Sequence, residues 1–143
     1  MAGKLQNKVI IVTGGSTGIG RATALRCAAD GAKVVVADVN VADAQATVEM
    51  LVSAGGTGKF VKTDVAIADD VRALVTATVA AYGHLDGAFN NAGIEGDFCN
   101  ITKMSEASFD RTIAVNLKGV WLCVKTQIEQ LLSQGSGGSI VNT

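Results

Sequence analysis

Short apolar runs rich in β-branched residues alternate along this chain with longer stretches whose apolar positions recur every three to four residues. The runs are Val9 to Val12, Val34 to Ala37, Phe60 to Val61, Gly87 to Phe89 and Ile140 to Val141. Each is nearly free of polar alternation, which predicts strands covered on both faces, as in a parallel sheet. The stretches between them read as amphipathic helices. After Asn40, an N-cap candidate with Asp43 three residues on, Ala44, Val48, Leu51 and Val52 form one stripe that Gly55 and Gly56 end. Val71, Leu74, Val75, Thr78, Val79 and Tyr82 repeat the pattern before Gly83. Leu117, Val120, Trp121, Val124, Ile128 and Leu131 repeat it over the longest predicted helix, and these stripes are expected to pack on the sheet. The predicted order, β-α-β-α-β-α-β-α-α-β, is that of a doubly wound α/β fold in a single domain over residues 1–143. Such a sheet binds its ligand beyond the carboxyl ends of its strands, so the site is expected just after each apolar run.

Composition narrows the classes of function. With 48% hydrophobic and 17% charged residues the chain can fill a core, and disorder is excluded. Twelve basic against 13 acidic residues, with no basic stripe, argue against a nucleic-acid partner. Cys27, Cys99 and Cys123 stand far apart with no paired spacing, which predicts neither a disulfide framework nor a metal site. No stretch approaches the ~20 apolar residues of a membrane span, and Met1 to Lys8 has no apolar leader run, so a cytoplasmic protein is expected. His84, between Gly83 and Leu85, is expected in an exposed loop, and the Asp69–Asp70 pair at a helix N-terminus, where the dipole favours carboxylates.

The chemistry lies in the residues directly after the strands. The first run leads into Thr13-Gly14-Gly15-Ser16-Thr17-Gly18-Ile19-Gly20, which opens directly into a helix. Glycines there let the backbone approach a ligand, and the helix start offers unpaired N–H groups to an anion, which together make a cradle for a diphosphate. No Gly-Lys-Ser/Thr comes next, so this is not a P-loop. The second run ends in Asp38, 20 residues beyond Gly18. A carboxylate there accepts hydrogen bonds from the adenosine ribose hydroxyls and repels a 2′-phosphate, and neither Thr17 nor Val39 supplies a cation to offset it, so NAD is preferred over NADP.

Asp64-Val65 comes after the third run and Asn90-Asn91-Ala92-Gly93 after the fourth, with Asn116 inside Ala114-Val115-Asn116-Leu117-Lys118-Gly119. With Thr13-Gly14-x-x-x-Gly18-Ile19-Gly20, these motifs make the chain resemble, over its whole length, the amino-terminal part of a short-chain dehydrogenase/reductase of the single-domain type. The resemblance implies a Rossmann fold and a set of contacts. Gly14, Ser16 and Ile19, with Thr17, Gly18 and Gly20 of the same turn, would meet the phosphates and the neighbouring ribose. Asp64 and Val65 would hold the adenine, while Asn90, Ala92 and Gly93 would line the nicotinamide-side ribose, Thr13 and Asn90 also tying strands together. Asn116 matches the asparagine that holds a water in the family's catalytic proton relay; its alternative reading is a helix kink or capping residue.

The family's hydride transfer also uses a serine, a tyrosine and a lysine four residues after the tyrosine. Here the only tyrosine is Tyr82, with Asp86 four positions on, and Ser139 lies before the fifth run instead of after it. The expectation is therefore the cofactor-binding portion of an NAD-dependent oxidoreductase acting on a secondary alcohol or ketone, truncated after the fifth strand and inactive alone. The alternative is an NAD-binding module or assembly partner without chemistry. A homo-oligomer, or a separate chain carrying the catalytic remainder, is the expected partner.

Overall fold

The computed structural model describes residues 3–143. Its strands β1 (Val9–Thr13), β2 (Lys33–Asp38), β3 (Thr57–Lys62), β4 (Gly87–Asn90) and β5 (Ser139–Asn142) form one sheet in the order β3-β2-β1-β4-β5. Every pairing is parallel, so each connection must cross over the sheet, and helices make those crossings. They are α1 (Gly18–Ala29), α2 (Val41–Ser53), α3 (Ala68–Tyr82), α4 (Glu106–Ile113) and α5 (Val120–Gln134). The chain moves outward from β1 to β3 and then crosses to β4, which puts the topological switch point between β1 and β4.

The absence of polar alternation in the strands comes from this layering. Val12, Val34 and Val36 face Ala24, Ala28 and Leu51 of α1 and α2, while Ile11, Val35 and Ala37 face Leu74, Val75 and Leu131 of α3 and α5. Neighbouring residues of one strand thus enter different cores. The helix signals also hold: the Asn40 Oδ1 accepts from the Asp43 N–H at 3.2 Å, and α3 stops on Gly83 at φ +86°.

The long-helix stripe read from the sequence requires correction. Between α4 and α5 the chain keeps helical dihedrals but passes through a π-helical turn, Ala114–Gly119. The buried face of α5 consists of Leu122, Cys123, Gln127 and Leu131, with Leu122 and Cys123 packed against Val65, Val71 and Val115. Leu117 and Trp121 are 64% and 58% exposed, and Ile128 is also exposed, so half of the predicted stripe points outward while Leu131 is buried. Apolar counting chose the more hydrophobic side of the helix, whereas the inner side carries a glutamine whose amide is satisfied internally.

His84 is in a loop as expected. Its Nε2 lies 2.7 Å from Asp86 Oδ2, an oxygen that also accepts from the Val9 N–H. Partial burial works to raise the Asp86 carboxyl, but the Val9 and Lys8 hydrogen bonds and the nearby charges outweigh it and hold the group below its ordinary value. This cluster stands at the amino ends of β1 and β4, across the sheet from the expected site. No helix of the described residues is long and apolar enough to cross a membrane.

Candidate functional site

Gly14 to Thr17 carry the chain from the end of β1 into α1. Gly14 and Gly18 adopt φ of +66° and +52°, and the turn is folded so tightly that a Cβ on Gly20 would lie 2.0 Å from the Gly14 carbonyl oxygen. On the other side space is open: a Cβ on Gly18 would meet nothing within 4 Å. Thr17 is the N-cap of α1 but makes no side-chain cap hydrogen bond, so the helix dipole and its first N–H groups face that open side without a side-chain acceptor. Ile19, 70% exposed, borders the same space. A diphosphate fits this donor set.

Asp38 closes the turn from β2. Its Oδ2 accepts from the Ser16 N–H at 3.1 Å and its Oδ1 from the Asn40 N–H at 3.0 Å. A carboxylate offers about four acceptor positions, so two remain for a vicinal diol such as ribose. Strand register adds what the local sequence could not show: Lys62 of β3 stands beside Asp38.

The loops after β3 and β4 form the rest. Asp64 Oδ1 accepts from the Ala66 N–H, and Asp70, reaching back from the first turn of α3, accepts from the Asp64 N–H at 2.9 Å. The Asp69–Asp70 pair is therefore at a helix N-terminus, as its sequence position predicts, with Asp70 also fixing the loop and Asp69 paired to Arg72. Thr13 Oγ1 accepts from the Asn91 and Ala92 N–H groups at 3.0 and 3.1 Å, which locks the start of the β4 loop onto β1.

Gly14, Asp38, Asp64, Val65, Ala92 and Gly93 line one cleft of about 100 Å³ at the carboxyl ends of the strands. Ser16 joins it through Asp38, and Thr17, Gly18, Ile19 and Gly20 form the adjoining helix start. Asn90 stands apart. Its side chain is buried, exchanging hydrogen bonds with Gln127 (2.9 and 2.8 Å) and donating to Asn142 Oδ1 at 2.9 Å. Any contact with a ligand therefore falls to its backbone. Asn116 lies in the π-helical turn and clamps the loop after Gly93, accepting from the Ile94 N–H at 2.9 Å and donating to the Ile94 carbonyl at 2.8 Å. π-turns inside helices occur frequently at functional sites.

Three features of this region escaped sequence reasoning. Val115 and Arg111 also line the cleft, Val115 immediately before Asn116 and therefore findable, Arg111 without any local signal. Gln127, far along α5, had none either. Cys123, inside the core, is no nucleophile: burial pushes its thiol up to about 12. The described residues contain no cluster of three or more His, Cys, Asp or Glu that could hold a metal. A larger groove of about 530 Å³, lined by Ile10, Cys27, Phe89 and Val141 among others, runs beside α1 on the sheet face towards the amino ends of the strands and contains none of the candidate residues.

Comparison with known proteins agrees with this geometry. The family model described as short chain dehydrogenase matches residues 8–143. The chain is 45% identical over 139 residues to the short chain dehydrogenase/reductase astE of Aspergillus oryzae, covering 96% of this chain and 53% of the relative. It is equally identical over 139 residues to a 2,5-dichloro-2,5-cyclohexadiene-1,4-diol dehydrogenase of Sphingobium indicum, covering 97% and 54%. A crystal structure of a short chain dehydrogenase/reductase from Burkholderia phymatum in complex with NAD superposes with a TM-score of 0.93 at 34% identity, covering 97% of this chain and 49% of that one. The chain spans about half the length of the curated relatives it matches. With the glycine turn, the parallel sheet and the matched model in agreement, the chain belongs to the short chain dehydrogenase family.

Proposed function

We propose that these residues bind NAD, in preference to NADP, as the cofactor-holding part of an oxidoreductase that moves a hydride between the nicotinamide and a secondary alcohol or ketone. One observation carries the reading: Asp38 is held by the Ser16 and Asn40 N–H groups beside a glycine turn that opens into an uncapped helix. The NAD complex of the B. phymatum relative supports the choice of dinucleotide. Bound here, the nicotinamide would supply the hydride acceptor. The chain's own residues hold it: the helix start takes the diphosphate, Asp38 the adenosine ribose hydroxyls, and Val65, with Asp64, the adenine. Ala92 and Gly93 border the second ribose, and Asn116 orders the loop beside it and is the residue for a water in the proton relay.

Titration of both dinucleotides tests this. The native chain is expected to bind NAD more tightly than NADP, and Asp38→Ala to narrow the difference by about tenfold, equivalent to about 1.4 kcal/mol. Equal native affinities would sink the reading.

A second reading concerns these 143 residues alone: they contain no Tyr-x-x-x-Lys and would bind a dinucleotide without carrying out the chemistry by themselves. Asn116 and the glycine turn supply no group able to exchange a proton with a substrate oxygen. A preparation of these residues alone, free of any second chain, is therefore expected to form no NADH from secondary alcohols even when saturated with NAD. Turnover in an absorbance assay would place the proton donor within this chain and remove the second reading.

The partner of the folded chain is proposed to be another polypeptide, a second copy or one carrying the catalytic remainder. Phe109, Ile113, Leu117, Trp121, Ile128 and Leu132 are exposed along α4 and α5, and Val141 of β5 is 57% exposed on the sheet face. Covering each large side chain recovers roughly 1.5–3 kcal/mol. Light scattering across a dilution series is expected to show association at micromolar concentration; a monomer throughout would remove the homo-oligomer from the proposal. A cytoplasmic location is part of the same reading, supported by three free cysteines.

A further inference from the structure

Thr47 sits mid-way along α2, away from every motif, and is fully buried. A buried threonine on a helix usually satisfies its hydroxyl with the carbonyl four residues back, and Thr47 does so with Asp43 at 3.1 Å. Here the same hydroxyl does more. It approaches the Ser16 carbonyl at 3.3 Å and accepts from Arg21 Nε at 2.9 Å. Arg21 Nη2 in turn donates to the Asp43 carbonyl at 3.2 Å. The network therefore joins the start of α1, the first two turns of α2 and the glycine-rich turn at one buried oxygen.

Its output is the orientation of Ser16. That residue's N–H donates to Asp38 Oδ2 at 3.1 Å, and its carbonyl lies 3.3 Å from the Thr47 hydroxyl, whose single proton it shares with the Asp43 carbonyl. The Ser16 N–H fixes one oxygen of the carboxylate that selects the ribose. Arg21 is the cation of the helix start, and Thr47 and Asp43 hold its guanidinium against α2.

The geometry points to Thr47 as a positioning residue for coenzyme choice, acting through Ser16 on Asp38 and tethering Arg21; this inference rests on the assignment of Asp38 to the adenosine ribose. Thr47 itself touches no cofactor atom. Its removal should therefore weaken the Asp38-dependent part of NAD binding and leave NADP, which gains nothing from Asp38, as it was.

Calorimetric titration of NAD and NADP into the native chain, Thr47→Val, Thr47→Ser, Asp38→Ala and the Thr47→Val/Asp38→Ala double variant tests it. Thr47→Val keeps the shape and deletes the hydroxyl; it is expected to lose about five- to tenfold in NAD affinity while NADP changes by less than about twofold. Thr47→Ser should restore NAD binding to within about twofold of native. In the Asp38→Ala background Thr47→Val should cost nothing further, because coupled residues are non-additive. Parallel losses for both dinucleotides, or a full additional loss in the Asp38→Ala background, would reduce Thr47 to a structural residue and overturn the inference. Should Thr47→Val not fold, Arg21→Met strips the other half of the network from a half-buried position. It is expected to give a smaller NAD-selective loss of about two- to threefold, and an unchanged ratio of the two affinities overturns the inference in that case too. A native chain that binds NAD while Asp38→Ala leaves the ratio unchanged refutes the ribose assignment itself. A native chain binding neither dinucleotide overturns both readings together.

Discussion

Replacing Gly20 by alanine is expected to lower dinucleotide affinity by about 100-fold, roughly 2.7 kcal/mol, and to destabilise the fold as well. The methyl carbon would lie 2.0 Å from the Gly14 carbonyl oxygen and 2.7 Å from its carbon, both backbone atoms, so no side-chain rotation relieves the contact. Either the helix start or the turn must move. Gly14 cannot yield freely, because its own Cα faces Ala92 across a gap that leaves only 2.9 Å for a Cβ. The displacement therefore falls on the first turn of α1, whose N–H groups are the proposed anion donors, and binding is expected to suffer beyond the ~1–3 kcal/mol that overpacking usually costs in stability. Titration calorimetry and a thermal melt on the same sample separate the two effects. Near-native affinity in a folded Gly20→Ala variant would remove the helix start from the binding site.

The second large effect is expected at Gln127. This side chain is fully buried and its amide forms a reciprocal pair with Asn90, whose Nδ2 also donates to Asn142 at the end of β5. Among the described residues no buried side-chain nitrogen or oxygen lacks a partner, and this hub is one of the reasons. Gln127→Leu matches the volume but leaves the Asn90 Oδ1 with nothing to accept from. An unsatisfied buried polar group costs about 1–3 kcal/mol. The added loss of the Gln127 bonds should place the variant near the top of that range, with a melting temperature lower by about 5–12 °C. Asn90→Leu combined with Gln127→Leu removes both partners and should be less damaging than the sum of the single changes. Strict additivity in the melts would show that the two amides act independently.

Much of the candidate site was legible before any coordinates. The glycine turn, Asp38, Asp64, Val65, Ala92 and Gly93 each come directly after a strand, and a parallel sheet necessarily gathers such positions at one end. The side chains that hold these residues in place were not legible. Thr47 and Gln127 belong to none of the sequence motifs, and Gln127 lies outside the apolar stripe counted along its helix. Each is buried only because a polar group from a distant element meets it: Ser16 and Arg21 for Thr47, Asn90 for Gln127.

By itself the sequence determined the succession of strands and helices, because backbone geometry imposes short-range rules: β-branched runs extend, amphipathic periods coil, and glycine permits turns closed to other residues. It also determined that the residues directly after the strands gather at one end of the sheet, since the residue after a strand inherits the strand's direction. Only the tertiary structure decided which face of α5 turns inward. Apolar content favoured Leu117, Trp121 and Ile128, yet those are exposed while Gln127 is buried. Two physical causes combine: the π-helical turn at Ala114–Gly119 shifts the phase of the helix, and the Asn90 amide makes a polar residue welcome against the sheet. Hydrophobic counting weighs each residue against water, whereas burial is settled by the partner that each residue finds.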